Sequence, residues 1–389
     1  MDAQQMILAK RQQIIDMRRW LHSHPEESLK EFDTAAYIEA QLDAWGIDHR
    51  RVGETGVYAW LRGSVPGPVT VLRADTDALP VPDEKQVPYR SQRPGFSHSC
   101  GHDMHTAALL GAAMVLAEHR QQLRGEVRFF FQQAEEVGAG ANQFIAAGLL
   151  EGADRVLGLH ADSSLESGKV LIMPGPNNAS CDAFTITIKG RSAHVSTPHL
   201  GVDALYVSCL LVTALQGLVT RLSSPVNPVI MGVGVLQAGT AYNALADTAV
   251  LEGTTRYMSE DTRADMNARL AELAQSLARQ YGAEATVTLK DHSSALSNDP
   301  AVCQELQALY KDIPQLEILT QREVKLAADD FAGSLRLVPG AYMYVGTHNP
   351  ANPDTGVAHH NGHFDIDEDA LVLGAQLLTA YAISRHFAG

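Results

Sequence analysis

Cys100, His102, Glu136, His160 and His360 are side chains of the kinds that bind a borderline divalent cation, and each falls where a strand or turn should end. The densest group is Ser99-Cys100-Gly101-His102-Asp103-Met104-His105-Thr106, which runs into the apolar stretch 107–116. A thiolate, an imidazole and a carboxylate so close together suit zinc, manganese or cobalt. A second group, Phe129-Phe130-Phe131-Gln132-Gln133-Ala134-Glu135-Glu136, closes a buried-strand pattern with two adjacent carboxylates. One of these can hold metal while its neighbour moves protons, a division of labour that suits a hydrolase. Asp75 and Asp77 end a third apolar pattern, in Arg73-Ala74-Asp75-Thr76-Asp77-Ala78-Leu79-Pro80.

Each feature has a plain reading when taken singly. A lone histidine such as His160 is usually a core or surface residue, and adjacent glutamates usually form a solvated face. Asp75 and Asp77 can cap turns, and Asp103 can cap a helix. Together they place chemistry at the carboxyl ends of several strands, where open α/β sheets gather their ligands.

The elements that must position these groups follow from periodicity. Apolar spacing predicts helices over 4–20, 33–45, 104–119 and 141–147, and strands over 56–61, 69–73, 127–132 and 156–160. Gly46 stands where a left-handed residue ends the second helix. Strands alternating with helices imply an α/β domain with a mostly parallel central sheet flanked by helices. From about 181 the pattern changes. A strand over 184–188, a helix over 202–222, strands over 229–236 and 248–256, a helix over 259–281 and a strand over 285–289 spell βαββαβ, the ferredoxin-like plan. The expected organisation is a discontinuous catalytic domain, 1–180 and 297–389, with a lid or dimerisation domain inserted at 181–296. A helix over 367–387 closes the chain.

Bulk properties narrow the function. The 389 residues suffice for two cores, and 45% hydrophobic with 19% charged residues is ordinary for a globular protein. A formal net charge of −15 argues against nucleic acid or an anionic membrane as partner. No basic-then-apolar leader opens the chain and no uncharged apolar run of membrane-spanning length is evident, so a cytoplasmic location is expected. Cys100, Cys181, Cys209 and Cys303 show no paired spacing and are expected to be reduced.

With these residues in view, the chain resembles the N-acyl-amino-acid amidohydrolases of the dinuclear-metal aminoacylase and carboxypeptidase superfamily, whose members include hippurate, indole-acetyl-amino-acid and aminobenzoyl-glutamate hydrolases. The likeness runs through Arg18-Arg19-Trp20-Leu21-His22, Pro25-Glu26, the 73–80 segment, Cys100 to Thr106 and Gln132 to Glu136. It continues through Gly158-Leu159-His160, Gly190 to His194, Tyr242-Asn243, Gly253 to Arg256, and His360 with Phe364-Asp365 and Asp367-Glu368.

The resemblance implies two divalent metal ions per subunit, zinc or manganese before cobalt or nickel, held by Cys100, His102, Glu136, His160 and His360, with Cys100 as bridge. It implies Glu135 as general base, Asp75 as a group orienting a ligand, His194 and Asn243 as contacts to the scissile carbonyl, and Arg256 as holder of the substrate carboxylate. His194 comes from a partner subunit in some relatives, and a homodimer through the inserted domain is part of the expectation. The substrate would be a small N-acyl amino acid or peptide-like molecule.

The chain departs from the pattern at Gln133, Ser99, Ala244-Leu245 and Asp329, and His359 competes with His360 as ligand. The alternatives are a dipeptidase or aminopeptidase, an N-acetyl-diaminopimelate deacetylase, and a non-catalytic metal- or ligand-binding descendant. Retention of Glu135 beside Glu136 speaks against the last, because binding metal needs no base.

Overall fold

The computed structural model describes residues 2–323 and 325–387. They form two compact units, the first comprising Met1–Gly175, Ser297–Glu323 and Asp330–Gly389, the second Pro176–Leu296 and Val324–Asp329. The second unit therefore starts before residue 181 and takes back a short stretch that the sequence reading had left to the catalytic domain. Ala179 N–H donating to Ala327 O at 3.0 Å ties that stretch to it.

The first unit is a mixed α/β fold around an eight-stranded sheet. Its strands run, from one edge to the other, Asp48–Val52, Gly56–Arg62, Arg124–Gln132, Val65–Asp75, Arg155–Glu166, Gly340–His348, Lys169–Leu171 and Glu317–Leu319. The central pairs, from Arg124–Gln132 across to Gly340–His348, are parallel. Buried on both faces, these strands read as apolar runs, Phe129-Phe130-Phe131 above all. Helix His102–Glu118 is buried from His102 through Ala117 and so shows no polar face. Helices Glu368–His386 and Arg11–Ser23 pack against it.

The long N-terminal helix expected over 4–20 is two helices, Ala3–Leu8 and Arg11–Ser23. Lys10 N–H turns back onto Ile7 O at 2.9 Å and interrupts it. Ile7 and Ile14 both enter the core, so the apolar period continues through a break that periodicity alone does not register.

The second unit is a four-stranded antiparallel sheet ordered Glu284–Ser293, Cys181–Lys189, Thr248–Tyr257, Val229–Ala238. Helices Ala204–Gly217 and Glu260–Gln280 bury Val207, Leu211, Leu215, Met266, Leu270 and Ala274 with strand residues such as Phe184, Ile186 and Ile188. Strand, helix, strand, strand, helix, strand is the order along the chain. One span, Ala204–Leu222, is long and apolar enough to cross a membrane by length and composition. Its apolarity has a second source, since Val207, Leu211, Leu215 and Leu218 belong to the core of this unit.

Candidate metal centre

Register brings the chemistry of the first unit to one place. Asp75 lies opposite Gln132, and Arg73 lies opposite both Phe130 and Gly158, so three parallel strands present their carboxyl-terminal regions side by side. His160 is interior to its strand, which continues to Glu166 rather than ending at 160. Cys100 and His102 flank Gly101, whose φ of +93° starts the helix and whose added Cβ would meet Ala161 Cβ at 3.0 Å, a position suited to glycine. Two non-glycine residues here are also left-handed, Ala134 at φ +54° and His360 at φ +62°. Such conformations cost energy and persist where the surroundings impose them.

The five expected ligands converge. Donor atoms of Cys100, His102 and His160 lie within 4.8 Å of one another, as do those of Cys100, Glu136 and His360, and those of His102, Glu135 and Glu136. Cys100 Sγ is 3.6 Å from His160 Nε2, and His360 Nε2 is 3.7 Å from Glu136 Oε2.

Hydrogen bonds set the imidazoles. His160 Nδ1–H donates to Ala161 O at 2.6 Å, which leaves the Nε2 lone pair facing Cys100. His102 Nδ1–H donates to Asp77 O at 2.9 Å, so its Nε2 is the ligand nitrogen. His359 is engaged at both ring nitrogens, with Nδ1 at 3.2 Å from Cys100 O and Nε2 accepting from Ser163 N–H at 3.4 Å. That leaves His360 as the histidine facing the cluster.

Asp75 differs from its expected role. Its oxygens take His105 Nδ1–H at 2.5 Å and Arg73 Nη1 at 2.7 Å, and it approaches His102 Nε2 only to 3.7 Å. The residue that orients ligand-bearing groups is Asp77. It stands against His102 Nδ1 and accepts the backbone N–H groups of Glu135 and Glu136, both at 3.1 Å, while Ser28 Oγ donates to it at 2.7 Å. His105, which the sequence reading gave no role, is locked between Asp75 and the Ala161 N–H at 2.8 Å. Asp330 is another such residue. It receives Gln132 Nε2 at 2.7 Å and the Gly140 and Ala141 N–H groups, capping helix Gly140–Ala146 just beyond the two glutamates.

The electrostatics suit a cation. Burial pushes the Cys100 thiol well above its ordinary range, with Glu136 and Glu135 adding to the shift. Burial also lifts Glu136 to about 7. Burial alone would lower His102, but Asp75 and Asp77 outweigh it and bring the ring to about 10. Crowded acceptors therefore hold protons where a divalent ion would supply positive charge, and metal entry would displace those protons. Two fully buried polar atoms, His102 Nε2 and Glu136 Oε1, have no hydrogen-bond partner, as expected of ligand atoms. The donor set fits a pair of borderline divalent ions.

In the second unit, His194 and Asn243 come together. Val195 N–H donates to Asn243 O at 3.1 Å, His194 bridges Ala244, and both side chains are exposed. Ser196 N–H donates to His194 Nδ1 at 3.1 Å, which places the ring proton on Nε2. Arg256 stands apart from this pair. It lies eight residues along strand Thr248–Tyr257 from the end nearest Asn243, roughly 26 Å at strand rise. Its Nη1 is held by Cys181 Sγ and Thr254 Oγ1, each at 2.7 Å. Within this unit a small ligand cannot touch both Arg256 and His194.

The chain is similar to known hydrolases in sequence and in fold. Residues 71–384 match the profile described as peptidase family M20/M25/M40. An N-acetyl-L-cysteine deacetylase of Bacillus subtilis is 37% identical over 94% of this chain and 86% of its own. An N-acyl-L-amino acid amidohydrolase of Geobacillus stearothermophilus is 39% identical over 69% of this chain and 74% of its own. Among solved structures, a dinuclear metal-binding peptidase of Bacillus subtilis superposes with a TM-score of 0.84 at 31% identity, covering 97% of this chain and 98% of that one.

Proposed function

The chain belongs to peptidase family M20/M25/M40 and is a metal-dependent hydrolase of amide bonds, and on that premise we propose that it releases free amino acids from N-acyl amino acids. The observation that carries the reading is the turn after strand Arg124–Gln132, where Glu135 and Glu136 are adjacent and Glu136 faces the converged donors. The deacetylase and the N-acyl amino acid amidohydrolase among the relatives support the substrate class.

Cys100, His102, Glu136, His160 and His360 would hold two divalent ions, Cys100 belonging to both donor groups, and the dinuclear relative supports that number. When bound, such ions lower the pKa of water and polarise a carbonyl. Glu135, whose backbone is pinned by Asp77, takes the proton of the attacking water at its carboxylate and returns it to the departing amine. His194, protonated at Nε2, donates to the oxygen that gains charge as the carbonyl becomes tetrahedral, and Asn243 lies beside it. Arg256 receives the substrate carboxylate in a two-pronged pair. Its separation from His194 favours an assembly in which the two come from different copies, and the exposed Ile230, Val235 and Leu236 on edge strand Val229–Ala238 offer the apolar edge for such a homodimer.

The test is hydrolysis of hippurate, N-acetyl-methionine, indole-acetyl-alanine, aminobenzoyl-glutamate and Ala-Leu after chelation and re-addition of zinc, manganese or cobalt. Metal-restored cleavage of at least one N-acyl amino acid is the expected result. Turnover of Ala-Leu alone would replace the reading with a dipeptidase.

A further inference from the structure

Three consecutive backbone N–H groups, those of Ala134, Glu135 and Glu136, end on carboxylates. Asp77 takes the last two, and Glu31 takes the first at 2.9 Å. Glu31 is fully buried, and among the described residues it forms no ion pair. Its other oxygen accepts from Thr55 Oγ1 at 2.7 Å.

Its place in the chain makes this use of a carboxylate notable. Glu31 occupies the N-cap position of helix Phe32–Ala44, yet its side chain caps nothing there. Glu26 does that work instead, accepting from Asp33 N–H at 3.2 Å and Thr34 N–H at 2.8 Å. The Glu31 side chain is thus released from its own helix and reaches across to Ala134. That residue is held left-handed without being glycine, immediately before Glu135. An alanine has no polar side chain with which to fix such a backbone, so the restraint must come from outside.

We propose that Glu31 is a positioning residue, whose carboxylate holds the Ala134 turn in the conformation that aims Glu135 at the reacting centre and Glu136 at the metals. The proposal rests on Glu135 acting as base. It assigns Glu31 no contact with substrate or metal.

The test compares Glu31→Leu, which keeps the bulk but removes the acceptor, with Glu31→Gln, whose amide oxygen can still take the Ala134 N–H. For fully metal-loaded Glu31→Leu, kcat falls about 100-fold with KM within about threefold of wild type, the loss expected of a misplaced reacting group. Zinc affinity by calorimetry falls about tenfold, the scale of losing a group that orients a ligand. Glu31→Gln restores both to within about fivefold, because the acceptor returns. If Glu31→Leu lowers only the melting temperature while kcat and zinc affinity stay at wild-type values, Glu31 is structural and the proposal is wrong.

Should the leucine variant not fold, Thr55→Val removes only the hydroxyl that sets the carboxylate. It should lower kcat roughly fivefold, about one hydrogen bond's net worth, and unchanged kcat there overturns the proposal equally. Failure of the base reading is separately visible, because Glu135→Gln would then keep its turnover while zinc affinity of the Glu31 variants still reports on the turn.

Discussion

The two units set their candidate site residues in opposite ways. In the first, Asp75, Asp77, His102, His105 and Arg18 are fully or almost fully buried, and each is fixed by partners that are themselves fixed. In the second, His194 and Asn243 are exposed, set by short backbone contacts beside a strand end. Burial of charge is expensive and tolerable only in a rigid, well-satisfied frame. A group that must meet a substrate arriving from water is better left at the surface, on an element whose fold does not depend on it. The contrast predicts that changes at the buried site residues of the first unit entangle metal, stability and activity, whereas changes at His194 and Asn243 affect activity alone.

The largest effect should come from Glu135→Gln. Loss of a general base costs typically about 10²–10⁴-fold, and here kcat should fall by about 10³-fold or more with metal content by mass spectrometry unchanged. Substantial turnover would remove Glu135 from the mechanism. Next, His194→Ala should reduce kcat by about 10²–10³-fold, the range for an oxyanion donor. Melting temperature and metal affinity should stay at wild-type values. A drop in either would show that the surface pair is tied into the fold after all, and the contrast between units would lose its sharpest support.

The smallest effect concerns acid. Arg18 donates to Asp103 at 2.6 Å and to Asp365 at 2.7 Å, and Tyr89 Oη donates to the other Asp365 oxygen at 2.8 Å. Burial would raise Asp365, but Arg18 and His22 outweigh it and hold the carboxyl below its usual range. A carboxyl depressed in the folded state contributes stability above its unfolded pKa of about 4, and that contribution disappears as pH falls through the folded value. Asp365→Asn should therefore cost about 1–3 kcal/mol near neutrality and flatten the loss of melting temperature below about pH 4. An unchanged acid profile would mean that Asp365 carries no such linkage.

Much of the first unit was legible because its ligand-type residues announce themselves by chemistry and by their place after apolar strands. Cys100, His102, Glu136, His160 and His360 are brought together as their types suggested. What stayed hidden was the set of residues whose work depends on contacts far along the chain. Asp77 looks no different from Asp75 in sequence, yet it is Asp77 that accepts the backbone N–H groups of both glutamates while standing against His102 Nδ1. Asp330 caps a helix nearly two hundred residues before it, which no local pattern encodes. The distance of Arg256 from His194 was not legible either, because a motif in family order says nothing of the strand length between them. The break at Lys10 escaped because apolar period survives a turn.

The Arg18 guanidinium also bears on how the protein is made. It joins Asp103, which follows His102, to Asp365, which stands shortly after His360 and 347 residues beyond Arg18 itself. Synthesis proceeds from the amino terminus, and a contact this distant in sequence cannot form until Asp365 has emerged from the ribosome. Until then, Arg18 and Asp103 lack their third member and the Cys100–His102 turn lacks His360. A chain cut short before His360 should thus be unable to retain metal, so loading waits until the segment from His360 to Asp365 has been made.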